Sequence, residues 1–183
     1  MGSENTMKRT SGSINIRPLR EEDIPTLQNW INDPLIMRRI GIEGERSLSM
    51  QREWFRNLEQ DSTKEVWAIV LRDTGTYIGN VSLYDIDRKH CHAGLAVFIG
   101  DGKNRGKGYG SLAVRLMLKY AFTDLKLHHV YCKTETSFQN AIKMYESIGF
   151  QREGVLIEHE LHDGHYVDKV IYGIHETEFE IQE

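Results

Sequence analysis

The stretch VFIGDGKNRGKGYGS, residues 97 to 111, decides the fold of this chain. An apolar run, Leu95 to Ile99, leads into a turn that contains Gly106, Gly108 and Gly110, and the turn opens a helix. Glycine permits positive φ and close approach of the backbone to a ligand. The first N–H groups of a helix lack internal acceptors and attract anions. The stretch therefore predicts a phosphate cradle, although a flexible turn that binds nothing also fits; its spacing matches neither the Rossmann nor the Walker A pattern.

Helical periodicity continues beyond the turn and predicts the clearest helix of the chain. The apolar positions recur at one face: Tyr109, Leu112, Ala113, Leu116, Met117, Tyr120 and Ala121. Upstream, Leu95 to Ile99 is bounded by glycines and is typical of a central strand buried on both faces. The predicted order is therefore a buried strand, a glycine turn and an amphipathic helix, and the other elements are predicted relative to this unit.

The remaining patterns predict a mixed α+β domain around one sheet. Helices are predicted after Asp23, after Ser49 and after Ser137, which are capping residues. Strands are predicted at Ile14 to Leu19, Val66 to Leu71, Tyr77 to Tyr84, Val130 to Lys133, Phe150 to Glu158 and Tyr166 to Ile174. The segment Leu35 to Leu48 has mixed character and receives no assignment.

Composition is that of an ordinary globular protein. The chain has 183 residues, 39% of them hydrophobic and 27% charged, with a net charge of -4, which disfavours a broad nucleic-acid surface. Two cysteines without a Cys-x-x-Cys motif favour a reducing cytoplasm, and no apolar run approaches a membrane span. We expect a flexible leader at residues 1–13, one domain at 14–175 and a tail at 176–183.

Two motifs in the correct order resemble one known family. Residues 105–110, RGKGYG, are similar to the Arg/Gln-x-x-Gly-x-Gly/Ala signature of the GNAT superfamily of N-acetyltransferases. Residues 141–150, AIKMYESIGF, are similar to the family's Ala-Ile-x-x-Tyr-x-x-x-Gly-Phe. Flanking segments resemble the ribosomal-protein-alanine and spermidine N-acetyltransferase branch. The resemblance implies a GNAT-like single domain whose mixed, mostly antiparallel sheet is splayed between two parallel strands and flanked by helices.

The resemblance also implies acetyl-CoA as co-substrate, with no metal. The residues expected to bind it are Leu95, Val97, Phe98, Arg105, Gly106, Lys107, Gly108, Tyr109, Gly110, Ser111 and Asn140. The glycine turn would bind the pyrophosphate, and main-chain N–H groups of the central strand would bind the pantetheine arm. Phe138 stands where relatives carry a CoA-binding asparagine, and Asn140 is its nearest substitute.

The resemblance implies direct attack of an amine on the thioester in a ternary complex. Tyr145 matches the family tyrosine that protonates the departing thiolate, although it also fits the apolar face of its helix. Relatives carry a glutamate as candidate base where this chain has Gly94. Asp85, Asp87 and His92 are nearby in sequence and are alternative bases.

The acceptor stays open among a polyamine, an amino sugar, an antibiotic and a protein N-terminus. Several acidic residues could attract a cation or form an ordinary solvated face: Glu43, Glu45, Glu158, Glu160 and Asp163. His90-Cys91-His92 is favoured as a surface loop over a metal site, and Trp30 and Trp54 are favoured as core. The alternative function is a non-catalytic acyl-CoA-binding domain, and the last strand and tail are compatible with a homodimer.

Overall fold

A computed structural model of the protein describes residues 9–162 and 164–180. Its strands are β1 (Arg9–Ser11), β2 (Ile14–Pro18), β3 (Glu65–Leu71), β4 (Tyr77–Asp87), β5 (His92–Ile99), β6 (His129–Glu135), β7 (Gln151–His162) and β8 (His165–His175). Its α-helices are α1 (Ile24–Ile31), α2 (Pro34–Ile40), α3 (Leu48–Leu58), α4 (Tyr109–Thr123) and α5 (Gln139–Ile148). No helix within these ranges is long and apolar enough to cross a membrane.

The strands form one sheet in the order β1-β2-β3-β4-β5-β6-β8-β7. Strands β5 and β6 are parallel, and the other neighbours are antiparallel. The helix α4 connects β5 to β6, as a parallel pair requires a crossover. The predicted α+β class and the mixed, mostly antiparallel sheet are confirmed.

The sheet is splayed between its two parallel strands. Pairing of β5 with β6 begins at His92 and His129 and stops at Gly94 and Tyr131. Beyond that point β5 stays paired with β4 as far as Ile99, whereas β6 stays paired with β8 as far as its own end. Each strand follows its outer neighbour, so a gap opens between them in the direction of their carboxyl ends.

Apolar side chains cover both faces of the sheet. On one face α4 buries its stripe fully, with Val114, Met117, Leu118 and Ala121 each at 0% exposure. A fully buried aliphatic side chain contributes about 1.5–3 kcal/mol, so this helix anchors the larger core. On the other face α1 and α3 form a second cluster over β3, in which Ala68 is completely buried. The sheet that contains the gap therefore has a separate packed layer on each face, formed by α4 on one side and by α1 and α3 on the other.

The segment without an assignment contains the short helix α2. Asp33 caps it by accepting a hydrogen bond from the Leu35 N–H at 2.9 Å, Pro34 occupies its first turn, and Gly41 ends it at φ 66°. Asn32 and Asp33 separate the end of α1 from the start of α2, where proline is tolerated because the first turn needs no N–H donor. Ser47, two residues before the predicted Ser49, caps α3.

The predicted leader and tail both contribute to the fold. Arg9–Ser11 pairs with β2 through a turn at Gly12, whose φ is 53°, so the expectation of a leader does not hold for these residues. In the tail, the Phe179 ring lies 5.6 Å from the Phe122 ring and extends the larger core. Residues 1–8 of the leader, residues 181–183 of the tail and Asp163 lie outside the described residues.

Candidate active site

The glycine turn after β5 forms an open cradle of main-chain N–H groups. Gly106 and Gly108 have φ of 74° and 81°, and Gly108 is the N-cap of α4. A Cβ at either glycine would meet nothing within 4 Å, so both face open space. The N–H groups that open α4 have no helical acceptor, and the helix dipole adds partial positive charge there. This geometry fits a diphosphate.

Arg105 supports the cradle from within the protein. Its Nε donates to the Ile99 carbonyl at 3.0 Å, and its Nη2 donates to the Gly100 carbonyl at 2.9 Å. The same Nη2 lies 3.4 Å from the Asp33 carboxylate. The sequence pattern suggested that this guanidinium faces the phosphate. In the structure it is committed to protein acceptors, and it holds the loop in place.

Trp30 and Asp101 complete the support of the loop. A Cβ on Gly100 would collide with the indole ring of Trp30, so only glycine fits where β5 leaves the sheet. Asp101 accepts from the Lys103 N–H at 3.0 Å and from the Asn104 side chain at 2.8 Å. The loop is therefore held by contacts behind it, and the N–H groups in front stay open.

The main chain of β5 supplies donors to the gap. The Gly100 N–H bonds the Ile78 carbonyl of β4, and N–H groups alternate in direction along a strand. The N–H of Phe98 therefore points to β4, not into the gap as predicted. Leu95 lies where the pairing with β6 ends, and the N–H of Val97 is directed into the open gap.

Tyr145 lies at the closed end of the gap. It projects from α5, is 5% exposed, and lies near Cys132, the first β6 residue beyond the pairing. Burial raises the pKa of Tyr145 well above its ordinary value, with the nearby Cys132 and Tyr84 acting in the same direction. The hydroxyl therefore keeps its proton at neutral pH, as an acid for a leaving thiolate must.

Helix α5 also carries Asn140 towards the cradle. Met144 Sδ lies 3.6 Å from the position of a Cβ on Gly110, in the first turn of α4. Asn140 is four residues before Met144, so it shares the same face one turn earlier, and it is exposed. Phe138 caps α5 without a side-chain hydrogen bond and lies beneath the guanidinium groups of Arg38 and Arg39, each 5.7 Å from its ring centre.

A buried carboxylate terminates β6 at the mouth of the gap. Glu135 is 1% exposed and accepts from Arg38 at 3.0 and 3.2 Å and from the Ser137 hydroxyl at 2.9 Å. Burial alone would raise the pKa of Glu135, but the hydrogen bonds from Arg38 and Ser137 outweigh burial and lower it. Sequence analysis missed this pair because its members are 97 residues apart.

Helix α2 bridges the two strands that border the gap. Its capping residue Asp33 faces Arg105 beyond the end of β5, and its Arg38 binds Glu135 at the end of β6. Because β5 and β6 are parallel, both ends lie at the same edge of the sheet. The unassigned segment of the sequence thus spans the mouth of the gap.

The predicted acidic residues do not form one group. Glu160 accepts from Lys169 at 2.7 Å and lies 2.9 Å from His162, beside Glu135. Three others are exposed: Glu43, Glu45 and Glu158. His90 and His92 both face Asp87, at 3.0 and 4.0 Å, and the described chain contains no group of three metal-ligating side chains.

A sheet that opens between parallel strands, an anion cradle at a helix N-terminus and a buried tyrosine beside the opening define an acyl-CoA-dependent transferase. Comparison of the chain with models of known protein families identifies which class of transferase it is. The acetyltransferase (GNAT) domain matches residues 13–151, and the chain belongs to this family. It is an acetyl-CoA-dependent N-acetyltransferase.

Relatives match the chain over most of its length. The spermidine N(1)-acetyltransferase of Vibrio cholerae is 28% identical over 86% of this chain and 90% of its own. The uncharacterized N-acetyltransferase p20 of Bacillus licheniformis is 25% identical over 91% and 94%. The crystal structure of the Vibrio cholerae spermidine N-acetyltransferase with CoA and spermine has a TM-score of 0.87 at 26% identity, covering 92% of this chain and 98% of that one. The predicted family, fold and co-substrate are confirmed.

Proposed function

We propose that this enzyme acetylates a primary amine of a polyamine by direct attack on acetyl-CoA in a ternary complex. The observation that carries the mechanism is the gap itself, which has an anion cradle at its open end, Tyr145 at its closed end and the Val97 N–H along one side. The diphosphate binds the cradle, and the thioester lies between the strands.

The state of the nearby thiol supports direct attack. Cys132 is completely buried beside Tyr145, and burial raises its pKa, with the Tyr145 hydroxyl opposing this in part. A thiol that keeps its proton is a poor nucleophile. An acetylated enzyme intermediate on Cys132 is therefore disfavoured, and the amine itself attacks the carbonyl.

The chemistry requires charge stabilisation and two proton transfers. The Val97 N–H donates to the carbonyl oxygen as negative charge develops on it. Tyr145 donates its proton to the sulfur when the carbon–sulfur bond breaks. Leu95, Gly106, Lys107, Gly108, Tyr109, Gly110, Ser111 and Asn140 are proposed to position the cofactor.

Two observations support a polyamine as the acceptor. Two of the relatives are spermidine N(1)-acetyltransferases, and a solved neighbour holds spermine with CoA. In this chain, carboxylates of Glu135 and Glu160 lie at the mouth of the gap, where they favour a cation. Glu135 is already paired with Arg38, and Glu160 with Lys169. The two carboxylates therefore contribute to the electrostatic potential at the mouth of the gap, and we do not assign them as direct ligands of the amine.

Thiol release from acetyl-CoA, measured with a panel of amines, tests the proposal. We expect turnover with spermidine and spermine, and initial-rate lines that intersect when both substrates are varied. Turnover confined to amino sugars, aminoglycosides or peptides with free N-termini would overturn the polyamine assignment. Parallel lines would overturn the ternary complex. Acetyl-CoA binding without turnover of any amine would favour the non-catalytic binding domain instead.

A further inference from the structure

Lys133 is an exposed residue of β6, one of the two strands that border the gap. Pairing of β5 with β6 stops at Gly94 and Tyr131, so two residues further on Ala96 and Lys133 stand at the same level on opposite sides of the gap. The N–H proposed to bind the thioester carbonyl belongs to Val97, the next residue of β5. Lys133 therefore lies at the level of the sheet where the proposed reaction takes place.

Lys133 faces away from the side of the sheet that carries Tyr145. Side chains alternate along a strand, so Lys133 shares its face with Tyr131 and Glu135. The Lys133 Nζ lies 5.7 Å from the centre of the Tyr131 ring, and Glu135 contacts Arg38 of α2. The neighbouring Cys132 points the other way, into the larger core that contains Tyr145 and the buried stripe of α4. The cradle and Tyr145 thus belong to one face, and Lys133 to the other.

The carboxylates on the face of Lys133 are already paired with other cations. Glu135 lies 3.0 Å from Arg38, and Glu160 lies 2.7 Å from Lys169. His162 contacts both carboxylates, at 3.6 and 2.9 Å. Among the residues that the structure describes, none places a carboxylate within 4.0 Å of the Lys133 Nζ. The charge of Lys133 is therefore directed at the gap and its solvent.

The groups at the closed end of this face are neutral phenols. The Tyr84 and Tyr131 rings meet edge to face at 6.0 Å. Burial is the largest cause of the raised pKa of each, and the charge of Asp85 acts in the same direction. On β5 the residues of this face are Gly94, Ala96 and Phe98. Between the closed end and the mouth, β5 and β6, which are both described in full, therefore contribute one charge to this face, that of Lys133.

We propose that Lys133 acts on the acceptor through its charge: it disfavours the ammonium form of the bound amine and thereby supplies the neutral nucleophile. This inference rests on the proposed function. A cofactor held at the cradle occupies the face of α4 and Tyr145, which leaves the face of Lys133 to the amine. A like charge nearby favours the neutral form of an ammonium group. The paired carboxylates at the mouth do not cancel this effect, because each is neutralised by its own cation.

The proton balance of the reaction follows from this role. The ammonium first gives one proton to water. The amine nitrogen then forms a bond to the thioester carbon, and the carbon–sulfur bond breaks. The sulfur takes the Tyr145 proton, and the second proton lost by the nitrogen returns to the Tyr145 oxygen through water.

Lys133→Met tests the proposal, since methionine keeps an unbranched side chain and removes the charge. Repulsion weakens the binding of the unreactive ammonium form and leaves the neutral amine unaffected. Near neutral pH, we expect the variant to lower both kcat and KM for spermidine about tenfold, with kcat/KM within about twofold of wild type. The pH at which kcat is half-maximal should rise by about one unit, because kcat reports groups that titrate in the substrate complex.

Lys133→Arg keeps the charge and should restore kcat, KM and the pH midpoint to within about twofold or about 0.3 unit of wild type. Lys126→Met is the matched control, because it removes an exposed lysine from the connection between α4 and β6 and should change none of the three. A fall in kcat/KM with an unchanged pH midpoint would show that Lys133 stabilises the oxyanion or the fold, and would overturn the proposal.

An absent effect, or an equal effect in Lys126→Met, would also overturn the role of Lys133 while wild-type turnover stands. Absence of wild-type turnover with spermidine would instead overturn the proposed function, and the role of Lys133 with it.

Discussion

The Arg105 guanidinium lies 3.4 Å from the Asp33 carboxylate, whose other oxygen caps α2. A residue of the cofactor loop is thereby joined to the helix that spans the mouth of the gap. Arg105 also donates to two carbonyls at the end of β5. One side chain therefore connects the cofactor loop, the end of β5 and the start of α2. The basic residue of the family signature thus acts here on the shape of the cradle.

Arg105→Ala should weaken acetyl-CoA binding about tenfold, which corresponds to about 1.4 kcal/mol. The physical reason is that the loop loses its internal donors and must be ordered by the ligand, which consumes binding energy. Isothermal titration calorimetry with acetyl-CoA measures the effect. Lys103→Ala removes the same charge from the same loop and should change the affinity less than about threefold. Equal losses in the two variants would show that charge, not loop order, is responsible.

Tyr145→Phe should lower kcat about a hundredfold, because the thiolate then leaves without a positioned acid. Acetyl-CoA affinity should stay within about twofold, since the ring continues to pack on Phe150 at 5.3 Å. Steady-state kinetics and calorimetry separate the two effects. Tyr172→Phe is the control, as it removes a buried phenol that bonds Glu146 of the same helix at 2.7 Å. Full turnover by Tyr145→Phe would show that Tyr145 only packs.

The cradle and α4 could be predicted because their signals are local. A buried strand, positive-φ glycines and a helical stripe follow one another within 97–121, and each has a direct physical meaning. Tyr145 was placed by a second local motif. The direction of the Phe98 N–H was wrong because it depends on which β4 residues pair with β5, and a strand's own sequence does not contain that register.

Helix α2 and the Gly94 surroundings could not be predicted for the opposite reason. Seven residues with one buried side chain, Ile36, give almost no helical periodicity. The helix is held by Asp33 and by Arg38 on Glu135, a contact that joins distant parts of the chain. Likewise the bulge at Asp85 shifts the register of β4 so that Tyr84 pairs with Gly94. No glycine, proline or asparagine at this point in the sequence indicates the bulge.

Gly108→Ala should reduce both stability and cofactor affinity. An alanine at φ 81° costs about 1–2 kcal/mol relative to glycine, and relaxation of that strain moves the N–H groups of the cradle. We expect about tenfold weaker acetyl-CoA binding by calorimetry and a lower free energy of unfolding in urea. Gly102→Ala is the control, because Gly102 also faces open space but has no positive φ, and its change should stay within about 0.5 kcal/mol. An equally large effect at Gly102 would contradict the role of positive φ.

Glu135→Gln should lower the free energy of unfolding by about 1–3 kcal/mol at pH 7, since Arg38 and Ser137 lose a charged acceptor. The pKa of Glu135 is lowered in the folded protein, because hydrogen bonds from Arg38 and Ser137 outweigh burial. A lowered folded pKa stabilises the protein above the unfolded value of about 4.3, and this contribution is lost as pH falls through the folded value.

The difference in stability between wild type and Glu135→Gln should therefore be constant near neutral pH and shrink below about pH 4. Urea unfolding at a series of pH values measures it. Glu22→Gln breaks the exposed pair with Arg20 and should cost less than about 0.5 kcal/mol at every pH. Because Glu135 also anchors α2, its variant should raise the KM for the amine more than the Kd for acetyl-CoA. A stability difference that grows on acidification would mean that the folded pKa of Glu135 lies above its unfolded value, so that burial outweighs the hydrogen bonds from Arg38 and Ser137.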